Sequence, residues 1–418
     1  MYFERLGIAR TVDSWKRTDS VTEHAETNSA PNVRWLPLDG LRGIAIILVV
    51  MVHTVHYDGP LFVGRFVEEF ARFGWVGVTL FFVLSGFLIS GILLDTLPKS
   101  NSMRDFYARR CLRILPVYIA FLLFHFFVVP RVPYLDYRIP QPSSGMHVYY
   151  WSFTSNMKES LSGISEWISS LDQVWSLAVE EQVYLVWPFL ILMIRKNNPI
   201  WVLLAIALLS MGWRLWTRIT WQPIELSYNW TFANLEAFSV GAIVAVLYRR
   251  TPEKCFRVSV MTTFVSGCVL VGIVATLGHF DFWKAFFPVL TLGSTAMTLF
   301  FAGIIGMCIS IRQDSLLNRG LSFSVFRFFG KYSYAIYLFH ASVVVVLRPL
   351  VISTGNGDYV HDSLLREMLL LMLVNAVSMA VAIASWHWIE LPFLRLKHYF
   401  PQSRLGQPTS QSARRSRS

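Results

Sequence analysis

Charge is what this sequence has least of. Only 15% of its 418 residues are Asp, Glu, Lys or Arg, while 54% are hydrophobic. A soluble chain of this length would divide into two or three domains and need far more polar surface to cover them. Soluble multidomain architectures are therefore excluded. Cysteine is scarce as well. Cys111, Cys255, Cys268 and Cys308 show no paired spacing and no ligand-like cluster, which argues against a disulfide framework and against a cysteine-held metal. The polar N-terminal stretch lacks an apolar core followed by a small-residue cleavage site, so no removable signal peptide is read there. Repeats of fixed period are also lacking, as is a second soluble domain.

Long apolar runs are what the chain has instead. Ten reach membrane length, at about 41–57, 75–94, 114–129, 174–194, 199–216, 231–248, 258–279, 286–311, 332–352 and 364–389. They predict an all-α polytopic membrane protein with about ten transmembrane helices. The third run is short, and the fifth carries Arg214 near its end, a charge tolerable there only at an interface. With both termini in the cytoplasm, the inward segments hold 26 Lys and Arg. The outward ones hold only Arg65, Arg72, Arg131, Arg138, Lys158, Arg218 and Lys284. That asymmetry fits the positive-inside rule and puts Cys111 and Cys255 on the reducing side. It also accounts for the formal charge of +11 without nucleic acid, leaving membrane lipid as the surrounding partner. The chain reads as a multi-pass protein of the inner (plasma) membrane. Residues 36–396 form the membrane domain, between disordered cytoplasmic tails at 1–35 and 397–418. The outward segment 130–173, rich in proline and aromatics, is too apolar for a plain linker and suits a lid or a binding loop.

Polar groups inside the runs need a reason, because a mid-span charge costs about 2.5–3.5 kcal/mol on insertion. Arg42 and His53 are eleven residues apart, close to three helical turns, so they share a face about 16 Å apart in depth. A snorkelling arginine and an interfacial histidine would explain this helix alone equally well. His53 and His56 are three apart, but no nearby carboxylate completes a metal site, and none is predicted. Glu180 and Glu181 lie two turns into an apolar span, and Glu180 falls within about 5 Å of the depth of His53. A carboxylate and an imidazole at one depth suit a base with its orienting partner, or a structural hydrogen bond between helices. Arg110 and Arg113, one turn apart in the loop before the third span, could grip phosphate or serve only as topogenic charge. Tyr184, and Tyr337 and His340 in the ninth span, are candidates to line a path for a polar ligand. Glu390, at the inner end of the last span, could pair with one of the loop arginines.

In order along the chain, these segments resemble the acyltransferase family 3 membrane proteins. That group includes bacterial O-antigen and exopolysaccharide O-acetyltransferases and macrolide acyltransferases. Leu38-Asp39-Gly40-Leu41-Arg42 through His53 matches the family's arginine–ten residues–histidine motif, and Gly77 through Ser85-Gly86-Phe87-Leu88-Ile89 its second-helix signature. Arg110-Cys111-Leu112-Arg113 matches the arginine pair, and Trp175-Ser176-Leu177 with Glu180 and Tyr184 the fourth-helix motif. Gly330 through His340 and Glu390-Leu391-Pro392 match the late motifs. The resemblance runs from about residue 36 to 396. It implies acyl-CoA, usually acetyl-CoA, as donor substrate with no permanently bound cofactor. It implies transfer to a hydroxyl of a cell-surface carbohydrate, a lipid-linked glycan or a glycosylated metabolite. It also implies a catalytic His53, donor handling by Arg42, Arg110 and Arg113, and an important Glu180. Many relatives carry a fused hydrolase-like domain, and this chain is expected to be a stand-alone member. Direct transfer and a transient acyl-histidine both fit the motif. The rival class is a proton-coupled transporter or channel, whose buried ionisable groups would mark an ion path.

Overall fold

A computed structural model describes residues 35–97, 101–143, 145–163, 168–196, 198–277, 288–352, 354–355, 358–359 and 363–400. Ten helices among the described residues are long and apolar enough to cross a membrane. Their regular cores are α1 (Leu36–Thr54), α2 (Val76–Thr96), α3 (Ser102–Leu123), α4 (Val174–Ile194) and α5 (Pro199–Ile219). They continue with α6 (Thr231–Arg250), α7 (Pro252–Leu277), α8 (Ser294–Ser310), α9 (Ser324–Val351) and α10 (Leu364–Ser385). All ten predicted spans are thus present. The expected tails lie outside the described residues, apart from Trp35 and residues 397–400. The latter form a short turn against α3, where Arg109 donates to the carbonyls of Lys397 (3.3 Å) and Phe400 (2.8 Å).

Two boundaries differ from the sequence expectation in a way that matters. α3 begins twelve residues before the predicted third span, and α9 eight before the ninth. Hydropathy reports where a helix enters lipid, whereas its hydrogen-bond ladder continues through the polar turns beyond. Arg110 and Arg113 therefore stand on a helix rather than in a loop. Arg214, near the end of α5, is buried within the bundle and pairs with Glu236 of α6 while donating to the carbonyl of Ala233 and to Thr295 (2.9 Å). A partner on the neighbouring helix satisfied the charge, and the sequence of α5 alone could not reveal it.

The core is built by close helix pairs. α1 packs most extensively on α9, and α2 on α6. Glycine permits the first pairing. A Cβ at Gly43 would run into the backbone carbonyl of Phe326, and one at Gly330 into that of Asp39. α7 packs on α8 at the bundle's edge, with most of its side chains exposed as a lipid-facing helix requires. α3 continues into a π turn at Phe124–Val128, and further π turns occur at Val289–Gly293 and Trp386–Glu390.

Several short segments gather at the end of the bundle where α1 finishes and α4 begins. An amphipathic helix, Phe62–Arg72, buries Gly64, Glu68 and Ala71 and exposes Phe62, Phe66 and Phe70. Short helices at Pro133–Arg138, Val148–Trp151, Lys158–Ser162 and Ile224–Tyr228 lie at the same end. Hydrogen bonds fasten the 130–173 segment to the bundle. Tyr118 donates to the Tyr150 carbonyl (2.7 Å), and Gln182 to the carbonyl of Phe153 (2.8 Å) and to Asn156 (2.9 Å). Thr354–Gly355 pairs antiparallel with Asp358–Tyr359, with Thr354 opposite Tyr359.

Candidate active site

The last turn of α1 carries His53. Its Nδ1 lies 2.7 Å from the carbonyl of Val49, one turn back in the same helix. A carbonyl only accepts, so Nδ1 holds the proton and Nε2 keeps a free lone pair. Behind it, fully buried on α9, His340 brings its Nε2 within 3.4 Å of His53 Nδ1, with the two rings edge to face at 5.0 Å. His340 Nδ1 sits 2.8 Å from the Tyr337 carbonyl and 3.1 Å from that of Ile336. By the same reasoning its proton is on Nδ1.

His53 also forms part of the wall of a cavity of about 810 Å³. Val49, Val52 and Val78 make one side apolar, and Trp75, Trp175 and Tyr228 form an aromatic wall with centroids 4.9 Å (Trp175–Tyr228) and 6.2 Å (Trp75–Tyr228) apart. Polar groups converge from the short segments and helix ends: Arg138, Asp172, Gln173, Glu225, Asn229 and Arg348. Aromatic faces with a few placed polar groups suit a ligand that presents both hydroxyls and apolar ring surface. Tyr337 belongs to the same wall, and its hydroxyl donates to the Gln173 carbonyl (2.9 Å) and contacts Ser176. That contact joins the fourth-span and ninth-span motifs.

Glu180 does not meet His53. Among the described residues its carboxylate accepts from Ser85 of α2 and from Tyr184, one turn along α4. The Tyr184 hydroxyl also lies 3.2 Å from Ser85 Oγ. The expectation that Glu180 orients His53 is therefore corrected. Depth along a helix does not fix which neighbour a face meets. Here α4 turns Glu180 toward α2, while α1 turns His53 toward α9.

Arg110 stacks its guanidinium over Tyr184 at 4.9 Å and over Phe106 at 5.6 Å. Arg42 pairs with Asp39 at 3.0 Å and lies within electrostatic reach of Arg110, Arg113 and Tyr184. Lys397 and Glu390 stand near Arg113 as well, so the pairing foreseen for Glu390 has a neighbour of the right sign. The three predicted arginines thus converge, together with Tyr184, toward the bundle end opposite the cavity. Among the described residues no group of three or more His, Cys, Asp or Glu is placed to hold a metal ion.

Sequence reasoning passed over Arg348. It reaches across from α9 to donate to the carbonyls of His53 (3.1 Å) and Thr54 (2.9 Å), two carbonyls that the end of α1 leaves without helical partners. It also lies 3.2 Å from His56 Nδ1. A single arginine in the last turn of an otherwise apolar span was the available signal. Glu367, fully buried near the start of α10, accepts from the His56 backbone (3.2 Å) and was likewise missed.

Residues 36–389 match the acyltransferase domain family. The chain is similar to a putative peptidoglycan O-acetyltransferase of Bacillus subtilis, at 29% identity over 86% of this chain and 55% of the relative. It is also similar to the O-acetyltransferase OatA of Staphylococcus aureus, at 25% over 91% of this chain and 60% of the relative. The peptidoglycan O-acetyltransferase OatA of Listeria monocytogenes is 28% identical over 85% of this chain and 55% of its own length. The chain thus spans between 55% and 60% of the length of these relatives. No solved structure matches.

Proposed function

Because the chain belongs to the acyltransferase domain family, we propose that it is a membrane O-acyltransferase that moves an acyl group, typically acetyl, from acyl-CoA to a carbohydrate hydroxyl. The observation that carries this reading is His53, with Nδ1 tied to the Val49 carbonyl and Nε2 left as a base at the wall of a large aromatic and polar cavity. Donor and acceptor approach from opposite ends of the bundle. Arg42, Arg110 and Arg113 grip the phosphates of acyl-CoA at the basic end. The pantetheine arm then runs past the hydrogen-bonded cluster of Tyr184, Glu180 and Ser85. The acceptor enters the opposite cavity, which the charge asymmetry of the loops assigns to the outer side.

At the meeting point His53 Nε2 takes the proton from the acceptor hydroxyl as its oxygen attacks the thioester carbonyl. The new C–O bond forms, the C–S bond breaks, and the imidazolium returns the proton to the departing thiolate. The products are an O-acyl ester and free CoA. Relatives whose names include peptidoglycan support a cell-surface glycan as the acceptor class. A proton-coupled carrier would give no reason for three arginines to gather with Tyr184 at the end of the bundle opposite the His53 cavity.

The test is thiol release from acetyl-CoA by the purified full chain, with and without soluble peptidoglycan fragments. Glycan-dependent release is expected in the parent. His53→Gln keeps hydrogen-bonding capacity but cannot accept the proton, and should lose at least about 100-fold in rate. A well-folded His53→Gln protein transferring at the parent rate would overturn the proposal.

A further inference from the structure

We infer that His340 is the positioning residue of this site, an imidazole that fills the place a carboxylate more often takes behind a catalytic histidine. This rests on the transferase function proposed above. The geometry comprises the 3.4 Å approach of His340 Nε2 to His53 Nδ1, the edge-to-face rings and the complete burial of His340. Two carbonyls hold the His340 proton on Nδ1, so the nitrogen that faces His53 can only accept.

A neutral acceptor suits this location. A carboxylate buried beside His53 would need its own counter-charge in a low-dielectric setting throughout the resting state. A neutral imidazole needs none, and the pair stays uncharged until His53 is protonated. When Nε2 takes the hydroxyl proton, the positive charge on His53 strengthens the Nδ1–H contacts to both Val49 and His340. Beyond His340 the path ends, because its remaining N–H is committed to the Tyr337 and Ile336 carbonyls. The second imidazole therefore holds the first and steadies its charge, and does not carry the proton onward. Glu180, on a different face, takes no part.

The same residue explains how two distant motifs cooperate. His53 lies at the end of α1 and His340 in the middle of α9, and the close α1–α9 packing brings them into contact. Arg348, a little over two turns further along α9, ties down the end of α1. One helix thus supplies both the acceptor behind His53 and the clamp on its backbone.

Two substitutions separate positioning from packing. His340→Leu fills the space without an acceptor, whereas His340→Gln puts an amide oxygen near the position of Nε2. The full-length protein in nanodiscs would be assayed with acetyl-CoA and soluble peptidoglycan fragments, and in parallel by ¹⁵N NMR of histidine-labelled protein. His340→Leu should lower kcat by roughly 10- to 150-fold, the range of one hydrogen bond to a charged group, with KM for acetyl-CoA unchanged. His340→Gln should recover most of that loss. The His53 nitrogen resonances should move in His340→Leu and stay closer to the parent in His340→Gln. A His340→Leu protein within threefold of the parent kcat, or equal losses in both variants with a raised KM, would overturn the assignment. If His53→Gln itself proved active, the transferase mechanism would fail, while the NMR comparison would still decide whether His340 positions His53.

Discussion

Replacing Gly43 by alanine tests whether close approach of α1 and α9 sets the geometry of the histidine pair. A Cβ there would overlap the carbonyl oxygen of Phe326 and come within 3.0 Å of Phe326 Cα. Carbon and carbonyl oxygen pack no closer than roughly 3.3 Å, and the obstacle is backbone, which cannot rotate out of the way as a side chain does. The helices must therefore separate by on the order of 1 Å, with an over-packing cost of about 1–3 kcal/mol. His53 lies ten residues further along α1, about 15 Å away on the same rigid helix. A displacement at Gly43 thus travels to the imidazole. A misplacement of about 1 Å can cost on the order of 100-fold in rate, about 2.7 kcal/mol. Thermal unfolding and glycan-dependent thiol release from acetyl-CoA would be measured for Gly43→Ala and for Gly320→Ala. Gly320 is a control, since a Cβ there meets nothing within 4 Å. Gly43→Ala should lose stability and most of its turnover, and Gly320→Ala neither. Parent stability and turnover in Gly43→Ala would refute the argument that this packing positions the site.

Other sites lend themselves to shorter tests. Removing both Arg110 and Arg113 as alanine should weaken acetyl-CoA binding by at least about tenfold, given the strength of charge-assisted hydrogen bonds. Lysine at both positions should restore only part, and unchanged binding by calorimetry would make the pair merely topogenic. Glu236→Gln should destabilise the fold by about 3–5 kcal/mol, because it leaves Arg214 buried without its counter-charge. A thermal scan matching the parent would show that pair to be dispensable. Glu180→Gln should raise the KM for acetyl-CoA and leave the His53 nitrogen resonances in place. A shift of those resonances would return Glu180 to the role of orienting His53.

How much of this could be read from the residues depended on what kind of quantity each inference needed. The number and order of the spans came from apolar length, a property each segment carries by itself, and all ten are present. Element starts were less legible. The amphipathic turns of α3 before Ile114 and of α9 before Tyr332 are helical through backbone hydrogen bonding, which hydropathy does not register. Helical phase was also legible within one helix. Arg42 and His53 do share a line along α1, with Arg42 toward the basic end and His53 at the cavity.

Relations between helices were a different matter. Predicted depth put Glu180 and His53 level with each other, but the angle of each helix about its own axis decides contact, and that angle is set by partners distant in sequence. α1 is drawn against α9 because Gly43 and Gly330 allow the backbones to touch, and this turns His53 toward His340. α4 instead presents Glu180 to Ser85. The same cause hid Arg214, whose counter-charge lies 22 residues away on another helix, and Arg348, whose acceptors lie 295 and 294 residues away. Each was visible as a charge that an apolar span should not contain. Such a charge signals that a partner exists, and the helix-packing glycines indicate on which neighbour to seek it. For Arg348 that rule leads to α1, and the clamp it places on the last turn of α1 holds the His53 backbone while His340 holds its ring.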